Sequence, residues 1–281
     1  MQFHRYVRKS PAARVGGGQL QRKIQIVPGS QLITMNLKEI QARIGTAADG
    51  IIGPNTKAAL KAQRFDVVID AGHSRDHARE YPCDWPKGAW NGPAARTLRA
   101  LGLTEESKES VEHALNLAVA KATAAALEKA ARRVLIYDDP AKGNKAEYVE
   151  AAAIGNAAAP RVFLSIHANG SKGVDSYKTN TPCGTITFYR SSNKAASVKL
   201  AAAITDAVNA VRAEGGAPGN RADNTAPGPG YYVLNATPAA GASVLCEVGF
   251  YDHLNDLPFM ADNITEIGRA IANAVNNHLN A

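Results

Sequence analysis

The stretch Ala242-Ser-Val-Leu-Cys-Glu-Val-Gly-Phe250 is an apolar, β-rich run that carries one carboxylate. Two others share its shape, Phe65-Asp-Val-Val-Ile-Asp-Ala-Gly-His73 and Arg161-Val-Phe-Leu-Ser-Ile-His-Ala-Asn169. Short continuous apolar runs bounded by turn residues read as buried strands of an α/β sheet. In open α/β sheets, ligands bind just outside the carboxyl ends of the strands. That rule gathers His73, His167 and Glu247 at one edge. Two neutral imidazoles and a carboxylate are the donors from which a catalytic zinc site is built.

Outward from these runs, strands alternate with helices. Periodicity predicts a helix over residues 110–132, acidic at its start and basic at its end, which suits the helix dipole. It further predicts a strand over 134–137, a helix near 146–157, a strand over 184–189 and a helix over 194–211. An amphipathic helix over 264–279 closes the chain. A long loop is expected from His73 to about residue 107, and a Gly/Pro-rich connection over 215–230. The fold expected is α/β: a three-layer twisted, mostly parallel sheet flanked by helices, with a small N-terminal all-helical module.

That module precedes the first strand. Residues 1–30 form a basic, Gly-rich lead with room for one short strand over 23–27. Over residues 31–64, Leu37, Ile40 and Ile44 fall at helical spacing, and Gly45 is placed to end the helix. A turn at Asp49-Gly50 leads to a second helix over 56–63, with Asn55 expected as its N-cap. Residues 65–281 make up the main domain. An apolar fraction of 45% is enough for a substantial core, and 20% charged residues argue against disorder. The net charge of +7 favours an acidic partner, but the basic residues are scattered, so a dedicated nucleic-acid reader is disfavoured. Cys83, Cys183 and Cys246 lack C-x-x-C spacing, which indicates neither a disulfide framework nor a cysteine zinc site. No run is long enough to span a membrane.

A catalytic zinc ion takes three protein ligands and leaves a position for water, whose pKa it lowers to about 7. His73 and His167 supply two ligands. The third should come from the helix start after the first strand, where Glu112 is the candidate and Glu109 and His113 compete. Adjacent helical residues point about 100° apart, so Glu112 and His113 should not serve together. Glu247 then remains as a general base toward water and a proton donor to the leaving amine.

The pieces Val68-Ile-Asp-Ala-Gly-His73, Glu112-His-Ala-Leu-Asn-Leu117, Leu164-Ser-Ile-His-Ala-Asn169 and Glu247-Val-Gly-Phe250 resemble the zinc-dependent N-acetylmuramoyl-L-alanine amidases of type 3, including phage endolysins. The resemblance runs from Phe65 to the C-terminus, with Tyr231-Tyr-Val-Leu234 in the family's late segment. It implies that His73, Glu112 and His167 bind zinc, that Glu247 is catalytic, and that peptidoglycan is the partner. The bond cut would join the lactyl group of N-acetylmuramic acid to the first alanine of the stem peptide. Upstream, Asp49-Gly-Ile-Ile-Gly-Pro-Asn-Thr56 resembles the core of a small peptidoglycan-binding domain. A hairpin that only packs on the main domain is the alternative. Where the family usually has a Gly pair and an Asp after the first histidine, this chain has Ser74-Arg75-Asp76 and then His77.

Trp85 and Trp90, in the loop after His73, are expected to line a groove for the glycan strand, with Asn169 as a further substrate contact. A hydrophobic plug that stabilises the loop is the competing role for the tryptophans. His77 is read as solvent-facing or supporting the site, and His4, His253 and His278 as surface residues. The short connection between His167 and Gly184 has no room for the long helix that plugs division amidases, so an enzyme without self-inhibition is expected. The N-terminus lacks the apolar stretch of a secretory signal. Synthesis in the cytoplasm and action at the wall or periplasm after release is the corresponding expectation, with no nucleic acid and no membrane insertion. Two other classes stay open, a zinc peptidase acting within the stem peptide and a catalytically inactive wall-binding protein.

Overall fold

A computed structural model describes residues 34–74, 92, 94–104, 110–170, 184–189, 194–214, 224–227 and 230–281. Among the described residues six strands form one sheet, namely β1 (Val67–Ala71), β2 (Val134–Tyr137), β3 (Val162–Asn169), β4 (Ile186–Tyr189), β5 (Asn224–Pro227) and β6 (Ala242–Phe250). Their order is β2-β1-β3-β6-β4-β5. The pairs from β2 to β6 are parallel, β6 with β4 is antiparallel, and β4 with β5 is parallel. The chain leaves β1 for β2 on one side and reaches β3 on the other. That reversal makes the β1/β3 boundary the topological switch point, where a ligand crevice opens.

Nine helices accompany the sheet among the described residues. They are α1 (Leu37–Arg43), α2 (Pro54–Ala62), α3 (Ala95–Ala100), α4 (Val111–Lys129), α5 (Asn144–Ala158), α6 (Lys194–Glu214), α7 (Tyr232–Asn235), α8 (Asp256–Asp262) and α9 (Ile264–Asn280). Successive strand residues point to opposite faces, and both faces are covered. Val67, Ile69, Val162, Leu164, Val244 and Cys246 pack with α4, α6 and α9. Val68, Phe163, Leu135 and Leu245 pack on the other side with α1, α2, α5 and α7. The three-layer expectation therefore matches, and doubly covered strands explain the continuous apolar runs. Cys246 is buried in this core, and burial pushes its thiol up to about 12.

The N-terminal hairpin shares the second core, where Leu37, Ile40 and Leu60 join Val68 and Phe163. Met35 forms a parallel bridge to Tyr137. Asn36 caps α1 in a capping box with Glu39, and Gly45 follows the helix with φ +76°. Gln41 is fully buried and organises the turn between the helices. Its amide nitrogen donates to Asp49 Oδ1, the Ile51 carbonyl and Thr56 Oγ1, and its Oε1 accepts from the Gly50 N–H.

Several local expectations are corrected. Helix α2 starts at Pro54 with Gly53 as N-cap, not Asn55, because proline at the first helical position fixes φ and lacks an N–H that would go unused. Helix α3 interrupts the expected long loop, and α8 follows β6 where no helix was expected. The Gly/Pro-rich connection contains β5, a four-residue edge strand. His253 is buried rather than on the surface, and its Nδ1 accepts from the Asn255 N–H. His278 is half-buried. No described helix is long and apolar enough to cross a membrane. Residues 1–30, His77, Cys83 and Cys183 lie outside the described residues.

The end of β6 is fixed by a buried ion pair. Arg212 Nη1 on α6 lies 2.7 Å from Asp256 Oδ1. Asp256 Oδ2 accepts from the Phe250 and Gly184 backbone N–H groups, and the Arg212 guanidinium sits over the Phe259 ring. Satisfying the carboxylate's remaining lone pairs is what makes such a buried pair tolerable.

Beneath the strand ends on the α5 side lies Glu147, fully buried, and among the described residues no donor meets either carboxylate oxygen. Burial, and then the negative charge of Asp70, hold this carboxyl well above the ordinary carboxylate range. Asp70 Oδ2 accepts from Ser165 Oγ at 2.7 Å. A folded-state pKa raised above the unfolded value gives stability that is complete below the unfolded pKa and is lost as pH rises through the folded one. Thermal unfolding should therefore show the midpoint of the native chain falling from about pH 5 to about pH 8, and falling less in Glu147→Gln. Parallel profiles for the two proteins would contradict this assignment.

Candidate metal centre and active site

At the switch point, β1 ends on Ala71 and the chain turns through Gly72 into His73, which adopts a left-handed φ of +67°. Gly72 is required by close approach. A Cβ built there would lie 2.1 Å from Nε2 of His167, with the imidazole itself in the way. The Gly72 N–H donates to the Ile166 carbonyl, and its own carbonyl accepts from Asn116 Nδ2 at 2.9 Å. Both strand ends are thus fixed relative to one another and to α4.

Helix α4 lies on the opposite face of the sheet from Glu147, and its N-terminus reaches the strand edge. Ser110 caps it by accepting from the His113 N–H. Glu112 in the first turn is 5% exposed, and one of its oxygens lies 3.1 Å from His73 Nε2 and 3.3 Å from His167 Nδ1. The two imidazoles meet edge to face with centroids 4.7 Å apart. His113 points elsewhere, its Nε2 lying 2.9 Å from Asp138 Oδ1 just beyond β2. The structure therefore brings Glu112, and not His113, to the two histidines; Glu109 lies outside the described residues. Donor atoms of His73, Glu112 and His167 all fall within 4.8 Å of one another, and among the described residues this is the group that could hold a metal ion.

Glu247 stands beside this trio. Its Cα pairs with that of His167 across β3 and β6, so both side chains leave the same face of the sheet. It is 8% exposed, and its Oε2 is buried with no hydrogen-bond partner among the described residues. Burial pushes its carboxyl up to about 7, with Glu112 adding to the rise and His167 and His73 opposing it. Glu112 ends in the opposite state. Burial works to raise it, but the charge and hydrogen bonds of His73 and His167 outweigh burial and leave it well below the usual carboxylate range. Two acids in one site with pKa values driven apart fit two different roles, a ligand and a proton carrier.

His73, His167 and Glu247 open onto a cavity of about 400 Å³ that Tyr148, Gly230, Tyr231, Tyr232, Val233 and Leu245 also line. The Tyr231 hydroxyl is pushed up to about 12 by burial and by the charges of Glu247 and Glu112, so it stays neutral.

The four central residues of the sequence reading converge. Asn169 ends β3, where its Oδ1 accepts from the Gly170 N–H, and it is not among the residues lining the cavity. Trp85 and Trp90 lie outside the described residues. Sequence reasoning missed Gly72, Asn116 and Tyr148. Asn116 had one usable signal, since it follows Glu112 by one helical turn and so shares its face. Tyr148 sits in an otherwise alanine-rich helix and carried none.

Comparison with known proteins bears on the family and the fold. The family described as Amidase_3, N-acetylmuramoyl-L-alanine amidase, matches residues 67–277. No curated protein matches the chain. Among solved structures, the fold resembles an N-acetylmuramoyl-L-alanine amidase from Clostridium difficile 630, with TM-score 0.55 and 19% identity over 78% of this chain and 98% of that one. The amidase Ami1 from Mycobacterium smegmatis gives TM-score 0.53 and 21% identity, covering 77% and 97% of the two chains. The catalytic domain of the CD27L endolysin, which targets Clostridia difficile, gives TM-score 0.52 and 18% identity, covering 75% and 96%. At these identities the structural likeness speaks for the fold alone. The family match spans well over half of the 281 residues and includes every residue of the converged site, so the chain belongs to the N-acetylmuramoyl-L-alanine amidase family.

Proposed function

We propose that the chain is a zinc-dependent amidase that hydrolyses the bond between the lactyl group of N-acetylmuramic acid and the first alanine of the stem peptide. The observation that carries this reading is the convergence of His73, Glu112 and His167 within 4.8 Å, beside Glu247. The donor set fits zinc, with two imidazole nitrogens and one carboxylate oxygen leaving a tetrahedral position open. The unpartnered Oε2 of Glu247 is a buried acceptor whose position suits a water in the cavity. Held by the three ligands, zinc would polarise the scissile carbonyl and acidify water to a pKa of about 7.

The remaining steps belong to the chain's own residues. Glu247 accepts a proton from the attacking water and delivers it to the departing amine nitrogen. The carbonyl carbon gains a C–O bond, the C–N bond breaks, and the products are a lactyl carboxylate and a free alanine amine. Asn116 and Gly72 keep His73 and His167 in register, and the His113–Asp138 pair anchors the helix end that carries Glu112.

An endolysin-type enzyme without self-inhibition is part of the proposal, supported by the short connection between His167 and Gly184. One structural neighbour is itself the catalytic domain of an endolysin. The N-terminal hairpin is proposed to contact the wall, since Ile51 of its Asp49–Thr56 motif is 65% exposed. Action at the cell wall after release from the cytoplasm follows from the same reading.

Digests of purified peptidoglycan should release new alanine amino termini and free lactyl groups, fall silent with a chelator, and recover with zinc. New amines inside the peptide would instead identify a peptidase. Glu247→Gln should keep its zinc content while kcat falls by about 10²- to 10⁴-fold, and retained turnover would remove Glu247 from the reaction. The isolated chain should work at full rate, so a large gain on adding an activator protein would overturn the claim that it lacks self-inhibition.

A further inference from the structure

Three tyrosines line the same cavity as His73 and His167, and they come from two separate elements. Tyr148 projects from α5, while Tyr231 and Tyr232 lie at the start of α7. Tyr232 is 49% exposed, one of three exposed large apolar side chains among the described residues. Its ring centroid lies 5.7 Å from that of Tyr148, tilted by 55°. Tyr231 is backed edge-on by Phe188 at 5.0 Å. An exposed aromatic beside a reactive centre, braced by a second ring, is a surface awaiting a flat apolar partner.

The character of the tyrosine surface points to which half of the substrate that partner is. The described residues lining the cavity include no lysine or arginine, while Glu247 lines it and Glu112 lies behind it. The free carboxylates of a stem peptide would find no cationic side chain beside the tyrosines among the described lining residues. The N-acetylated sugar is neutral once its lactyl group is tied up in the amide. Its ring offers C–H faces that can pack on a tyrosine.

We propose that Tyr148 and Tyr232 form the subsite for the N-acetylated pyranose ring on the sugar side of the scissile amide. This rests on the amidase reading above. The ring would lie against Tyr232 with Tyr148 behind it, and the lactyl arm would carry the carbonyl toward His73, His167 and Glu247. The shelf selects for the sugar and takes no part in the bond change.

Two substrates of the same peptide test this on the full-length chain, one N-acetylmuramoylated and one bearing only a lactoyl group. The native protein should favour the muramoyl substrate in kcat/KM. Tyr232→Ala should reduce that preference by about three- to ten-fold, mainly through KM, whereas Tyr232→Phe should keep most of it. The preference compares two substrates on one preparation, so any change in folded fraction cancels. Equal losses on both substrates, or a larger loss on the lactoyl peptide, would overturn the sugar subsite. If the native protein cleaves both substrates equally well, the amidase reading stands and the subsite falls. If it cleaves neither, the amidase reading fails and takes the subsite with it.

Discussion

One carboxylate oxygen, on Glu112, lies between the imidazoles of His73 and His167, and the layout of this domain serves to put it there. The acid comes from a helix on one face of the sheet, while His167 leaves the other. They can meet only where the strands end. Burial by itself would drive the Glu112 carboxyl toward its neutral form, but the two histidines reverse that preference. A charged acid held without solvent is a poor arrangement for a resting protein and a good one for gripping a cation.

Such a site needs a rigid surround, because a small misplacement of a reacting group is costly to rate. The chain supplies it with buried polar contacts placed one residue, one turn or one strand away from each functional side chain. Ser110 and Asp138 hold the start of α4, and Asn116 clamps the carbonyl that precedes His73. The missing side chain at Gly72 lets β1 pass the His167 ring. At the other border, Asp256 ties the end of β6 to α6 through Arg212, which steadies the strand bearing Glu247. The N-terminal helices close the face opposite α4, so they contribute to the core that supports the site as well as offering an outer loop.

Much of this was legible in the sequence, for physical reasons. Strands covered on both faces must be apolar throughout, so His167 and Glu247 stood out against their runs, and His73 just past one. What stayed hidden has equally plain causes. Strand β5 is short, lies at the sheet edge and ends in Pro227, a composition that reads as loop. Helix α8 carries Pro258 in its first turn, which masks the helical pattern. His253 is buried by the turn after β6, a tertiary effect that no local spacing encodes. The tyrosine shelf joins residues from α5 and α7, and their proximity follows only from how those helices pack.

The account depends on a cation being held by three particular side chains at the β1/β3 boundary. A crystal of the full chain grown with zinc, with data collected on both sides of the zinc absorption edge, addresses this directly. One anomalous peak within bonding distance of His73, Glu112 and His167, with Glu247 alongside but not bound, is the predicted result. A peak elsewhere, or those side chains turned away from one another with zinc in excess, would contradict it.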